Sequence, residues 1–279
     1  MDPFTPKQCP PRTPNVLDFT QGSFSKDIAR EALSLVPPMT NTSVVHDNAC
    51  GTGAVTEAIV ASSQKPGKLF ATDLIPPFVA SVEAKAHRNG WGFVKTATMD
   101  AMNLLGFESN FFTHSITNFC LQGLSDPSKG AKEIYRTVKP AAEGGVAIIT
   151  TWATIVQGSA IQTASEATRG KGVALRIPWI KQKTTTEWLE RHLKNAGFTS
   201  VEVIQQVGYT ETEDLEKWCE LMWAFLGIPS DGWTQKDETQ WENAVKLIFE
   251  LVQSNEDVEL HEDGGARIRM LANIAIAKK

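Results

Sequence analysis

The sequence predicts an α/β protein with a doubly wound sheet of seven mostly parallel strands, one of them antiparallel, and additional helical cap elements. Three observations support this fold class. Short apolar segments alternate with helical patterns through residue 152, which is typical of a mostly parallel sheet covered by helices. Predicted helices then cluster at 155–170 and 212–254, between the remaining strands. A last apolar segment at 266–277 alternates with the period of a sheet face.

Seven short apolar segments supply the strands. They are residues 43–48, 68–72, 93–97, 113–118, 145–152, 201–209 and 266–277. In the last segment every even position from Ala266 to Ile276 is apolar, so one face of this strand is expected to be buried. The hairpin-like return through 199–277 contains no parallel crossover, and we therefore expect the last strand to run antiparallel.

Helix-start signals place the main helices between these strands. A helix over 54–62 follows a turn that contains two glycines, and Pro76 suits the first turn of the next helix. Asp126, followed by a proline, begins a third helix. The apolar face of this third helix comprises Ala131, Ile134, Tyr135 and Val138.

Composition and charge exclude several function classes. The chain has 279 residues with 27 Lys and Arg against 32 Asp and Glu, which gives a formal net charge of −5. This mildly acidic balance argues against binding to nucleic acid or to an anionic membrane surface. No apolar run reaches the ~18 residues of a membrane helix, and the polar, proline-rich start does not resemble a secretion signal. We therefore expect a cytoplasmic protein.

The four cysteines and five histidines show no metal-binding pattern. No two cysteines form a Cys-x-x-Cys pair, and no two histidines lie three to five residues apart. The sequence therefore predicts neither a zinc site nor a disulfide framework, and it favours a reducing compartment.

The segment HDNACGTGAV is the sharpest signal in the sequence. A predicted strand ends at Asp47, and Gly51 and Gly53 follow before the next helix, so that a ligand could approach the backbone closely. A dinucleotide fingerprint would have a third glycine where Thr56 stands, and Asp47 would repel a pyrophosphate. A ligand with an ammonium group, a carboxylate and a nucleoside fits better, and S-adenosylmethionine is such a ligand. The alternative is a tight strand-to-helix turn without a ligand.

Polar residues follow the next three strands as well. Asp73, at the end of the second strand, could accept two hydrogen bonds from a ribose diol, although it could also merely cap the following helix. Asp100, after the third strand, could accept from an adenine amino group or could be a solvated loop acid. Asn118 and Phe119 place a polar and an aromatic side chain at the end of the fourth strand.

The order of motifs HDNACGTG, ATDLIPPF, TMDAMN, ITNFCLQGLSD and GGVAIITTW resembles the class I S-adenosylmethionine-dependent methyltransferases, which have a Rossmann-like fold. DNACGTGAV and the strand ending in TTW particularly resemble fungal natural-product methyltransferases, including the gliotoxin thiol methyltransferase group. The resemblance implies a cofactor site formed by Asp47, Ala49, Gly51, Gly53, Asp73, Leu74, Asp100, Ala101, Asn118 and Phe119. Ala49 departs from the usual glycine but is still small.

The resemblance also implies a division of the chain and a place for the substrate. Residues 1–42 would form an N-terminal leader and lid helix, in which Phe19 and Phe24 cover the site, and residues 43–279 would form the methyltransferase domain. Seven of the eight tryptophans lie in the second half. Trp152 and Trp223 are candidate substrate contacts, and packing in the core is the alternative for these tryptophans.

The predicted activity is methylation of a small hydrophobic natural product, on sulfur before oxygen or nitrogen. No histidine is a convincing general base, and a thiol depends less on such a base than a phenol does. A methyltransferase-like protein that catalyses a rearrangement or cyclisation, and a non-catalytic regulator, are the alternatives. The expected partner is a small-molecule substrate, with no nucleic acid or membrane partner, and the protein is expected to be a monomer or weak dimer.

Overall fold

The computed structural model describes residues 4–11, 13–177 and 184–279. Contacts divide the chain into two compact units that interleave along the sequence. The helical unit comprises Met1–Ser23, Thr154–Lys183 and Tyr209–Met270. The sheet unit comprises Phe24–Ala153, Thr184–Gly208 and Leu271–Lys279. The division into a leader (1–42) and a domain (43–279) stays a prediction.

The order of elements begins with two helices, alternates strand and helix from the first to the third strand, and later includes consecutive strands and consecutive helices. The helices are α1 Pro14–Gln21, α2 Phe24–Ser34, α3 Ala54–Ala61, α4 Pro76–Arg88, α5 Pro127–Thr137, α6 Val156–Arg169, α7 Thr186–Ala196, α8 Leu215–Leu226, α9 Gln235–Thr239 and α10 Trp241–Gln253. The strands are β1 Val44–Asn48, β2 Lys68–Asp73, β3 Val94–Thr98, β4 His114–Thr117, β5 Val146–Thr154, β6 Ser200–Thr212, β7 Val258–Leu260 and β8 Ala266–Lys278. No described helix has both the length and the apolar character that crossing a membrane requires.

The sheet confirms the predicted fold class. Its strand order is β3-β2-β1-β4-β5-β8-β6, and the first five of these strands are parallel neighbours. The predicted number of seven strands is too low by one, because β7 pairs with β8 as an additional antiparallel strand. Three residues, Val-Glu-Leu, are too few to show a periodic pattern in the sequence.

Strand β8 runs antiparallel to its neighbours in the sheet, as predicted. At its end, Lys278 accepts a hydrogen bond from the backbone N–H of Thr199, 3.1 Å away, just before β6 begins. Further back, Asn273 Nδ2 donates to Thr151 Oγ1 at 3.1 Å, late in β5. The last residue, Lys279, accepts from Ala141 N, which precedes β5. Later residues of β8 therefore lie beside earlier residues of β5 and β6, which is the antiparallel arrangement.

One apolar core of the sheet unit lies between the sheet and helices α5 and α7. The predicted face of α5 is confirmed, since Ala131, Ile134 and Val138 are buried and Tyr135 packs edge-on against Phe198. The other members of this core are Leu121, Ala147, Ile149, Leu189, Leu193, Ala275 and Ala277. This packing holds the sheet in place. The carboxyl ends of its parallel strands form the site described below.

Candidate functional site

The turn between β1 and α3, residues 49–53 and here named the glycine loop, has an unusual backbone. Ala49, Gly51 and Gly53 have positive φ angles of 59°, 53° and 99°, a region in which residues other than glycine are strained. Cys50 N donates to Thr72 O at 2.9 Å, and Gly53 N donates to Cys50 O at 2.8 Å. The loop therefore turns tightly over the carboxyl ends of β1 and β2.

Asp47 lies beneath this loop with only half of its hydrogen-bonding capacity used. Its side chain is 1% exposed, and Oδ2 accepts from Thr56 N at 3.0 Å and from Thr56 Oγ1 at 2.7 Å. The buried Oδ1 atom has no partner among the described residues. Burial raises the pKa of Asp47 to about 7, against the hydrogen bonds from Thr56, and the charge of Asp73 adds to the rise. A cationic donor at Oδ1 would satisfy this carboxylate.

Asp73 ties the glycine loop to the turn before α4. Its Oδ2 accepts from Gly51 N and its Oδ1 accepts from Ile75 N, both at 2.9 Å. Ile75, not Asp73, is the N-cap residue of α4, and that N-cap has no side-chain hydrogen bond. Burial raises the pKa of Asp73, although these backbone donors oppose the change. A carboxylate oxygen can accept more than one hydrogen bond, so Asp73 could accept further donors.

The third strand end contributes Asp100 and Ala101. Asp100 Oδ1 accepts from Met102 N at 2.8 Å, which closes a turn, and Ala101 is buried. Burial, together with the charges of Asp73 and Asp100, raises the pKa of Cys120 to about 12. Leu74, beside Asp73, exposes 62% of its surface.

At the end of β4, polar and aromatic contacts join β4, β5 and α2. Thr150 Oγ1 donates to Asn118 Oδ1 at 2.7 Å and accepts from Phe119 N at 2.9 Å. Asn118 Nδ2 donates to the carbonyl of Ser25 at 3.1 Å. Phe119 has a positive φ of 53°, and its ring stacks on Trp152 with the ring centres 4.1 Å apart. The start of α2 is thus fixed at the strand end.

Phe24, Phe119 and Trp152 form a group that we name the aromatic stack. The Phe24 ring lies 4.8 Å from Trp152 and 5.4 Å from Phe119, measured between ring centres. Phe24 is fully buried, whereas Phe119 and Trp152 are half-buried. The structure therefore brings two of the predicted substrate residues together with a predicted cofactor residue.

The two other predicted substrate residues, Phe19 and Trp223, belong to the helical unit. Phe19 lies on α1 and is 37% exposed. Trp223 is 1% exposed and packs against Trp233, with the Arg169 guanidinium 4.4 Å from the centre of a Trp223 ring. This is the core packing that the sequence left open, and substrate contact by either residue stays a prediction. Trp179 lies outside the described residues.

The histidines occupy structural or exposed positions. His46 is fully buried and stacked on Phe112, its Nε2 lies 2.9 Å from Thr72 Oγ1, and burial lowers its pKa to about 3. Burial also lowers the pKa of His114, at the amino end of β4. His192 lies on α7 against Trp188, and the remaining two histidines are exposed.

Several residues of the site escaped the sequence analysis. Thr56 was noted only as a missing glycine, yet its hydroxyl and N–H hold Asp47. Thr150 lies within β5, and only the polar TT pair before Trp152 marks it in the sequence. Lys85 on α4 donates to the carbonyl of Thr52 in the glycine loop at 2.9 Å. No local sequence pattern predicts this contact.

Comparisons with known proteins agree with this geometry. Residues 46–149 match the family described as a methyltransferase domain. The methyltransferase ktnA of Aspergillus niger is 24% identical over 262 residues, which cover 85% of this chain and 84% of that protein.

Solved structures share the fold at low identity. The YcgJ protein of Bacillus subtilis has a TM-score of 0.61 at 12% identity, over 91% of this chain and 97% of that one. Phosphoethanolamine N-methyltransferase 2 of Haemonchus contortus, solved with S-adenosyl-L-methionine, has a TM-score of 0.53 at 20% identity. That match covers 95% of this chain but 59% of the other. Residues 46–149 thus match a methyltransferase domain, and the sheet order and the strand ends that meet at the glycine loop agree with the fold of these structures.

Proposed function

We propose that this protein transfers a methyl group from S-adenosylmethionine to a small hydrophobic natural product. The observation that carries the cofactor assignment is the buried Asp47 Oδ1, which has no partner among the described residues although the other oxygen has two donors. An unsatisfied buried carboxylate oxygen is costly, and an ammonium group would supply the missing donor. A nucleoside with a charged amino-acid portion has such a group, whereas a dinucleotide has a pyrophosphate.

Residues at the different strand ends would bind different parts of the cofactor. Asp47 would hold the ammonium group, with Ala49, Gly51 and Gly53 giving close access to the backbone of the glycine loop. Asp73 would accept from the ribose through its remaining lone pairs. For the adenine and sulfonium portions we propose contacts with Leu74, Asp100, Ala101, Asn118 and Phe119.

The cofactor, when bound, supplies a carbon that is already activated by a positive sulfonium. The chain's own task is to orient the acceptor in line with that carbon and to exclude water, and alignment alone can contribute ~7–11 kcal/mol. The aromatic stack is suited to this task, since Phe119 and Trp152 are only half-buried and lie after β4 and late in β5. Flat or apolar acceptors bind well to such rings.

A thiol is the acceptor that we favour. The two buried histidines have lowered pKa values, and their ring nitrogens contact threonine hydroxyls or a backbone carbonyl, so neither is arranged as a base for a phenol or an amine. A thiol has a reference pKa near 8.5 and is partly ionised at neutral pH, so orientation and desolvation matter more than proton removal. The resemblance to the fungal thiol methyltransferases supports the same order of preference.

The test is incubation with methyl-labelled S-adenosylmethionine and four matched panels of small hydrophobic thiols, phenols, carboxylic acids and amines. Mass spectrometry then identifies the methylated class. The proposal predicts that thiols in the panel gain one labelled methyl group, about 14 mass units plus the added mass of the label, and that this gain is lost in Asp47→Ala. Methylation only of phenols or amines would overturn the thiol preference. Cofactor binding without transfer to any panel would favour the rearrangement or regulator alternatives, and absence of binding would overturn the cofactor assignment.

A further inference from the structure

One face of helix α4 contacts two consecutive residues of the glycine loop. Val82 and Lys85 are three residues apart and share this face. A methyl group added to Gly53 would lie 3.1 Å from Val82 Cγ2, so the loop and the helix are already in close contact. Lys85 Nζ donates to the backbone carbonyl of Thr52 at 2.9 Å. Helix α4 therefore holds the loop by one apolar and one charged contact.

The ammonium group of Lys85 is itself held in place by Glu57 on α3. Lys85 Nζ lies 2.7 Å from Glu57 Oε1, and Glu57 Oε2 pairs with Lys26 on α2. Although burial opposes the change, the two lysines lower the pKa of Glu57. Glu57 thus connects three helices. The Lys85 ammonium group uses another of its N–H donors for the loop carbonyl.

The glycine loop is consequently fixed from two sides. Asp73 accepts from Gly51 N on the side of β2, and Lys85 donates to the carbonyl of Thr52 on the side of α4. These two contacts orient the Cys50–Gly51 and Thr52–Gly53 peptide groups of the segment that would face the ligand. A loop with three positive φ angles has many alternative conformations, and ordering it on ligand binding costs conformational entropy. Peptide groups that are already fixed before binding reduce this cost.

We propose that Lys85 is a positioning residue for the cofactor: it holds the glycine loop in the binding conformation, and Glu57 orients it. The predicted effect on cofactor affinity rests on the proposed function. The ordering of the loop, however, can be measured without a cofactor. Lys85 is not expected to touch the cofactor or the acceptor. Its contribution is transmitted through the Thr52 carbonyl.

The experiment compares Lys85→Met, Lys85→Arg and Lys26→Met in the full chain. Lys85→Met removes the donor to Thr52, Lys85→Arg keeps a charged donor, and Lys26→Met removes a Glu57 ion pair without touching the loop. Calorimetry with S-adenosylmethionine should show affinity five- to twentyfold lower in Lys85→Met. Affinity should stay within about threefold of wild type in Lys85→Arg and about twofold in Lys26→Met.

Hydrogen exchange of the cofactor-free proteins provides the second measurement. The amides of residues 51–53 should exchange about tenfold faster in Lys85→Met than in wild type or Lys26→Met. Unchanged affinity and exchange in Lys85→Met, or equal effects in Lys26→Met, would overturn the positioning role. Wild-type protein that does not bind S-adenosylmethionine would contradict the proposed function instead, and exchange at the loop would still decide the role of Lys85. If Lys85→Met is unfolded, Lys85→Gln serves in the same comparison.

Discussion

Thr56 holds Asp47 through two contacts to a single oxygen. Its backbone N–H and its hydroxyl both donate to Oδ2, at 3.0 and 2.7 Å, and the second carboxylate oxygen stays buried without a described partner. Thr56 therefore stands where a dinucleotide-binding protein would have a third glycine, and it orients the carboxylate of Asp47. Orientation of this kind favours a cation at Oδ1 and explains why a pyrophosphate is a poor fit.

Replacement of Asp47 should separate stability from ligand binding. Asp47→Asn keeps an acceptor for Thr56 but removes the buried charge, and we expect S-adenosylmethionine affinity to fall about ten- to a hundredfold. The same variant should be more stable than wild type at pH 8 without cofactor, by ~1–3 kcal/mol, since a buried charge is costly. Calorimetry and thermal unfolding measure the two effects.

The pH dependence follows from the direction of the Asp47 shift. The pKa rises from an ordinary value of 3.8 to about 7 in the folded chain, so the folded state binds the additional proton between these values. Stability therefore falls as the pH rises from about 4 to 7, and this contribution is absent from Asp47→Asn. A stability difference between variant and wild type that is the same at pH 5 and pH 8 would contradict the assignment.

Asp73 has a structural and a proposed ligand role, and two substitutions distinguish them. Asp73→Ala leaves the partly buried N–H groups of Gly51 and Ile75 without their acceptor, at a cost of up to ~1–3 kcal/mol for each group. Asp73→Asn keeps an acceptor oxygen and loses the charge. We expect both variants to bind S-adenosylmethionine about ten- to a hundredfold more weakly, with the larger loss of stability in Asp73→Ala. A folded Asp73→Ala protein with wild-type affinity would refute the ribose assignment.

Gly53 and Gly90 form a matched pair for the close contact between loop and helix. Both have positive φ angles, 99° and 68°, but an added methyl group would approach Val82 only at Gly53. Gly90→Ala should cost about 1 kcal/mol from backbone strain alone. Gly53→Ala should cost more, about 2–3 kcal/mol, and should also weaken cofactor binding. Chemical denaturation and calorimetry give both quantities, and equal stability losses would contradict a tight contact with Val82.

How far the sequence predicts this structure depends on the distance over which each signal acts. The strands other than β7, the glycines of the turn after β1 and the acids at the strand ends follow from local patterns. The contact of Lys85 with Thr52 spans 33 residues and depends on the docking of α4, which no periodicity encodes. The hydrogen bond from Asn118 to Ser25 spans 93 residues for the same reason. Helix α2 was predicted to approach the site only through the family resemblance.

The last prediction concerns the histidines and the acceptor atom. If the acceptor is a thiol, replacement of His46, His114 or His192 in turn should leave turnover within about tenfold, below the ~10²–10⁴ expected for a lost general base. His46 packs against the rings of Phe107 and Phe112, so His46→Phe is the variant that keeps an aromatic ring at this position. The measurement is turnover at saturating substrate, with cofactor affinity and thermal unfolding as controls. A fall of several hundredfold in one folded variant with normal cofactor affinity would assign that histidine as a base and would favour an oxygen or nitrogen acceptor.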